Sequence, residues 1–203
     1  MSSKATIKDV AKKAGVSIAT VSRAINQNYP VSKKLRKRIN DAIKELNYSP
    51  NSIARSLKTD RTGTIGFVVS DIANPFFTAI IRATEDIIRL QNYNLIVCST
   101  DNNPAQELAY LKLLQGKMVD GILINTTGEN DDYITKLSHK IPMVLSNRKV
   151  ENPDFIGDFV DNDNVTGAQV LTKHLISLEH YRIGVVNIPL KVSTGYERFQ
   201  GFC

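Results

Sequence analysis

The sequence predicts two unlike units in tandem: a small all-α helix-turn-helix unit, then an α/β doubly wound domain. Three observations carry this. Between residues 7 and 46 the apolar side chains recur at spacings of three and four, the period of a helix. From Thr64 onward, short β-forming apolar runs alternate with amphipathic stretches, as in a parallel sheet covered on both faces. The charge divides at the same place. Residues 1–61 hold 14 Lys+Arg against 4 Asp+Glu, while residues 62–203 hold 12 against 16. A net of +10 beside a net of −4 implies a polyanionic partner for the first unit only. Nucleic acid is the obvious candidate, with binding that weakens as salt rises.

In the first unit, Ile7, Val10, Ala11 and Ala14 share one helical face, and Gly15 stands where a sharp turn needs positive φ. Ser17 is a natural N-cap for a second helix with Val21, Ala24 and Ile25 inward and Ile18, Ala19, Ser22 and Arg23 outward. An outward Arg on a short helix matches the paired acceptors of guanine in the major groove. A plain helical hairpin with one solvated Arg fits the same residues. After the loop NQNYP, Ser32 caps a third helix with Leu35, Ile39, Ala42, Ile43 and Leu46 inward. Lys33, Lys34, Arg36, Lys37 and Arg38 crowd its start, where cations oppose the helix dipole and a phosphate backbone would compensate them. Ser49-Pro50 opens a further segment, SPNSIARSLK, that is too short to persist alone in water, and KTDRTGT (58–64) reads as a linker. The domains are therefore 1–48, a short helical segment and linker over 49–63, and 64–203.

In the second unit, strands are predicted at 64–70, 93–99, 119–125, 142–147, 158–161 and 182–188. Ligands of such folds sit beyond the carboxyl ends of the strands. Those positions hold Asn74-Pro75-Phe76-Phe77, Asn147-Arg148, Asp161-Asn162, and Thr194 and Arg198. Aromatic faces, an amide and two guanidiniums suit a polyhydroxylated or anionic small molecule. Phe76 and Phe77 would equally suit a helix packed into the core, and Arg148 a surface ion pair.

The run ATIKDVAKKAGVSIATVSRAIN, followed by VSKKLRKRINDAIKELNYSPNSIARSLK, resembles the DNA-binding headpiece of the LacI/GalR family of bacterial transcription regulators. The resemblance implies a small all-α helix-turn-helix headpiece followed by an α/β doubly wound, periplasmic-binding-protein-like domain. It puts the base-reading positions on Ile18, Ala19 and Arg23, and caps or phosphate contacts on Thr6, Ser17, Thr20 and Ser22. Tyr29, in the loop, suits a further DNA contact and would equally serve to close the small core. The segment carrying Asn51, Ala54, Leu57 and Lys58 matches a hinge helix of the minor groove, with Leu57 as an apolar wedge. Residues 64–203 are similar to sugar-binding periplasmic proteins, which makes Asn74, Phe76, Phe77, Asn147, Arg148, Thr194 and Arg198 the expected effector contacts.

Two departures bear on the effector. Asn147 stands where sugar binders commonly carry Asp, so two cations face one fewer carboxylate, favouring a sugar acid or sugar phosphate. Val192 stands where the purine-binding branch would have Arg. The second lobe begins near residue 162, and the sequence stops at Cys203, so the resemblance implies a chain whose second lobe is incomplete.

The function implied is a homodimeric repressor of a carbohydrate operon that binds a palindromic double-stranded operator under allosteric control by a sugar-derived effector. No cofactor, metal or membrane partner is expected, and the location is cytoplasmic: the N-terminus lacks a secretory apolar region. Cys98 and Cys203 suggest neither a disulfide framework nor a zinc site. The histidines, His139, His174 and His180, have no metal-ligand spacing, and no Gly-rich phosphate loop or nucleophile elbow appears. An enzyme is thereby disfavoured, as is a transport protein, which would carry a signal sequence and no basic headpiece.

Overall fold

The computed structural model describes residues 5–26, 31–49 and 61–203. The chain divides into two units, residues 1–57 and 58–203. Tyr29, Asn51, Ala54, Leu57 and Lys58 lie outside the described residues.

Among its described residues the first unit packs three helices, α1 (Ile7–Ala14), α2 (Ile18–Asn26) and α3 (Lys33–Glu45). Val10, Ala11, Ala14, Val21, Ile39 and Ala42 form its core, with Ile7, Ala24, Ile25, Leu35, Ile43 and Leu46 packed against it. These are the residues that the periodicity turned inward. Helix α1 opens with a reciprocal cap: the Thr6 hydroxyl accepts from the Asp9 N–H, and the Asp9 carboxylate accepts from the Thr6 N–H at 2.8 Å and its hydroxyl at 2.7 Å. It ends on Gly15 at φ +62°. Ser17 Oγ accepts from the Thr20 N–H at 3.1 Å to start α2, and Ser32 Oγ accepts from the Leu35 N–H at 3.4 Å to start α3. One basic residue is placed otherwise than the phosphate reading of the α3 cluster expects. Arg38 points back to the end of α1 and donates to the Ala14 carbonyl at 2.6 Å. A terminal carbonyl has no partner within its own helix, and a guanidinium satisfies it.

The second unit is built on a five-stranded sheet: β1 (Thr64–Val69), β2 (Asn94–Ser99), β3 (Gly121–Ile124), β4 (Met143–Ser146) and β5 (Asp158–Val160), in the order β2-β1-β3-β4-β5. Every pairing is parallel. Successive side chains point to opposite faces. Val68, Cys98, Ile122 and Ile124 therefore meet one core, with Leu111 and Leu114 of α5 (Pro104–Gly116) and Ile134 and Leu137 of α6 (Asp131–Ser138). Phe67, Val69, Val97 and Leu123 meet the other, with Phe77, Ile80 and Ile81 of α4 (Pro75–Leu90). Gly66 lets α5 sit directly on β1, since a Cβ there would lie 2.6 Å from a Leu114 methyl. Asp120, entering β3, accepts from the N–H groups of Thr62 and Gly63 at 2.7 and 2.9 Å, which anchors the chain as it enters β1.

Helices α7 (Asn164–Ser177) and α8 (Ser193–Phe202) pack on each other, and Gly201 is the point of closest approach. The strand predicted over 182–188 is absent: these residues have no regular structure, and Val186 is fully exposed. A strand needs a neighbour to accept its ladder, and no described strand flanks this segment. The apolar face of α4 is only half covered: Ile80 and Ile81 pack against the sheet, while Ile87 and Leu90 are exposed.

The turn at Gly15 is sterically exacting. Its added Cβ would lie 2.9 Å from Arg38 Nη2, and an L side chain is disfavoured at that φ. Gly15→Ala should destabilise the first unit by about 1–2 kcal/mol, read from the loss of helical circular dichroism in urea. The Thr6 hydroxyl and N–H hold the Asp9 carboxyl below its ordinary value of 3.8. Its contribution is therefore present above that value and lost as pH falls through the depressed one. Asp9→Asn should flatten that part of the acid-unfolding curve, measured by the same signal.

Candidate functional site

On the first unit, α2 turns Ile18 outward at 44% exposure, along with Ala19 and Arg23, while Thr20 and Ser22 are half-buried at its edge. The outward face is thus two apolar side chains and a guanidinium, a set that suits thymine methyls and guanine acceptors. Thr6 and Ser17 are exposed and already engaged as helix caps.

On the second unit, parallel strands bring their C-terminal ends to one edge, and the residues there are unusually polar and buried. Asn125 follows β3, is fully buried, and donates through Nδ2 to the Ser146 carbonyl at 2.9 Å. Asn147 follows β4 at φ +66°, a conformation that Asn tolerates, and its N–H donates to the Val160 carbonyl. Arg148 donates from Nη1 to the Thr126 carbonyl at 3.0 Å, and from both terminal nitrogens to Asn102 Oδ1 at 3.3 Å. Burial lowers the proton affinity of Arg148, the Glu107 carboxylate opposes that shift, and the nearby Arg198 guanidinium adds to it.

Arg198 reaches the same region from α8 and donates from Nε to Asn164 Oδ1 at 2.9 Å. Asn164 in turn donates to Asp161 Oδ2 at 3.0 Å and to Glu197 Oε2 at 3.1 Å. Burial, the largest influence on Asp161, raises its carboxyl above the ordinary value. Thr194, in the first turn of α8, is fully buried. Lys149 Nζ lies 2.6 Å from Glu197 Oε1, and Lys191 Nζ lies 2.5 Å from Glu129 Oε1. These pairs tie the strand-end loops to the start of the second lobe.

The buried polar atoms at this edge that lack a hydrogen-bond partner among the described residues include Thr100 Oγ1, Asn125 Oδ1, Asn147 Oδ1, Arg148 Nε and Thr194 Oγ1. Buried polar atoms in native folds are nearly always satisfied, which makes this edge the candidate ligand site.

The structure brings Asn147, Arg148, Thr194 and Arg198 to this edge, as the sequence leads one to expect. Phe77 is a correction. It is 6% exposed and packs with Phe67 and Val69, so its ring belongs to the sheet core. Phe76 meets it edge-on at 5.1 Å and stays 39% exposed, leaving one ring available instead of two. Asn74 spends Oδ1 on the Phe76 N–H as the N-cap of α4. Asn125, Asn102, Glu107 and Asn164 were not among the expected contacts. Asn125 was findable, since it ends the strand predicted over 119–125.

Two family descriptions match the chain: "Bacterial regulatory proteins, lacI family" over residues 6–51, and "Periplasmic binding proteins and sugar binding domain of LacI family" over residues 62–203. The chain belongs to the LacI family. Its relatives include the HTH-type transcriptional repressor PurR of Mannheimia succiniciproducens, 40% identical over 200 residues that cover 98% of this chain and 59% of that one. The same repressor of Histophilus somni is 38% identical at similar coverage. The chain thus spans about 59% of the length of the curated relatives it matches. Among solved structures, the lac repressor dimer bound to operator and the anti-inducer ONPF aligns with a TM-score of 0.82 at 26% identity, covering 98% of this chain and 61% of that one. A transcriptional regulator CelR–cellobiose complex aligns with a TM-score of 0.61 at 30% identity, covering 98% and 60%. Among the described residues no helix is long and apolar enough to cross a membrane.

The orphaned hydroxyl of Thr194 gives a test of the edge as a ligand site. Thr194→Val keeps its shape and removes an unsatisfied buried group. It should raise stability in urea by about 1 kcal/mol while weakening effector binding, a pairing that a purely structural Thr would not give.

Proposed function

We propose that this LacI-family chain acts, in its whole protein, as a homodimeric, effector-controlled transcriptional repressor in the cytoplasm. Two headpieces read the half-sites of a palindromic operator, because a two-fold protein selects a two-fold site. The observation that carries the DNA reading is the outward face of α2, where Arg23 stands beside Ile18 and Ala19 on a unit of strong positive charge. Control is a linkage: a ligand that prefers one arrangement of the lobes shifts the population able to hold DNA. The family membership and the repressor relatives support this reading.

The effector we infer is a small polyhydroxylated anion, a sugar acid or a sugar phosphate. Two amide oxygens without partners ask for hydroxyl donors, and Arg148 Nε asks for an acceptor. Arg148 and Arg198 repel one another, and an acidic group between them would relieve that. The relatives' name, PurR, is not that of a sugar repressor, and the exposed face of Phe76 would also take a flat base. Against a base stands Val192, at the cap position of α8, where the purine-binding branch of the family would carry Arg.

Calorimetry with ribose, gluconate, a phosphosugar and a purine base separates these readings. Tight binding of neutral ribose or of the base alone would sink the anionic one. A gel-shift titration on palindromic and random DNA tests the repressor. Arg23→Ala should cost about 1–3 kcal/mol, concentrated at one base pair. A uniform loss over all sequences would leave Arg23 as a phosphate contact only.

A further inference from the structure

Glu107 is a carboxylate with no exposure at all, in the first turn of α5, on the inner side of the strand-end loops. A buried carboxylate is costly unless its oxygens are fully occupied. Those of Glu107 are occupied entirely from one loop. Oε2 accepts from the Thr127 N–H at 2.7 Å, and Oε1 accepts from the Thr127 hydroxyl at 2.9 Å and from Asn130 Nδ2 at 2.8 Å. The Thr126 hydroxyl approaches Oε1 at 3.4 Å. Asn130 occupies the cap position of α6 yet makes no side-chain cap bond there, because its amide reaches Glu107 and the Pro104 carbonyl instead.

The peptide between Thr126 and Thr127 is therefore gripped from both sides. Its N–H is held by Glu107, and its carbonyl partner, Thr126 O, accepts from Arg148 Nη1 at 3.0 Å. Arg148 is desolvated and sits beside a second guanidinium, two influences against its charge, and Glu107 is the anion that opposes them. Glu107 touches neither the exposed edge nor a ligand position. It acts through Arg148.

We propose that Glu107 is the positioning residue of the effector site: its buried carboxylate fixes the Thr126–Thr127 peptide so that the Thr126 carbonyl seats Arg148 with Nε unspent and turned to the ligand. This rests on the reading of the strand edge as the effector site. The class of ligand that gains is one with an acidic group, since a fixed guanidinium offers a directed and charged N–H to a carboxylate or phosphate.

The test is nuclear magnetic resonance of the Arg148 Nε–H in the ligand-free chain, with a gluconate titration alongside. Glu107→Gln keeps the volume and removes the charge. It should speed exchange of the Arg148 Nε–H by about tenfold, with a stability effect that is non-additive with Arg148→Gln. Thr127→Val removes one bond from the opposite side and should shift the exchange in the same direction by less, which keeps the test open should Glu107→Gln fold poorly. Unchanged Arg148 exchange in both variants would overturn the proposal, as would a Glu107→Gln effect of the same size in the Arg148→Gln background. A chain that fails to bind gluconate while Glu107→Gln still frees Arg148 would reject the acidic effector and uphold the positioning role.

Discussion

All five strands of the second unit run the same way, and much else follows from that single constraint. In a parallel sheet every strand leaves at the same edge, because each crossover starts at the carboxyl end of one strand and returns to the amino end of the next. The loops after β1, β3, β4 and β5 are forced into one neighbourhood, whatever their sequences. Asn125, Asn147 and Arg148 become neighbours there because their strands pair in register, with Ile124 beside Leu145 and Ser146 beside Val160. The apolar residues that secure the register are what hold the polar ones in place.

That edge is electrostatically unfinished. Two guanidiniums repel across it, Asp161 is desolvated, and several buried polar atoms lack partners among the described residues. Folding tolerates this because anions are also at hand: Glu107 behind Arg148, and Glu197 held by Lys149 and Asn164. The arrangement resembles binding sites generally, where stability is given up locally so that a ligand can supply what the protein omits.

Much of this was legible in the sequence, for physical reasons that differ by element. The headpiece helices declared themselves because an apolar stripe, Ser or Thr at the start and Gly at a left-handed turn all act locally. The first five strands were equally plain, since runs such as TIGFVV and GILI are apolar on both faces. Residues 182–188 looked the same and formed no strand, because a strand also requires a neighbour, and that is a property of the whole sheet. Phe77 shows a second limit: two adjacent aromatics at a helix start declare neither which ring turns inward nor that the first turn will rotate Phe77 onto Phe67. Glu107 shows a third. A Glu in a first turn reads as ordinary dipole compensation, and only the folded loop reveals that four groups converge on it.

The close seating of α5 on β1 at Gly66 has a geometric meaning. With Leu114 seated over bare backbone, the helix lies close against β1 along a length of about 20 Å. One end carries Glu107. Beyond the other, Asp120 grips Thr62 and Gly63 where the chain enters the domain. The same helix therefore spans the distance between the strand-end loops and the turn that holds the domain's entrance.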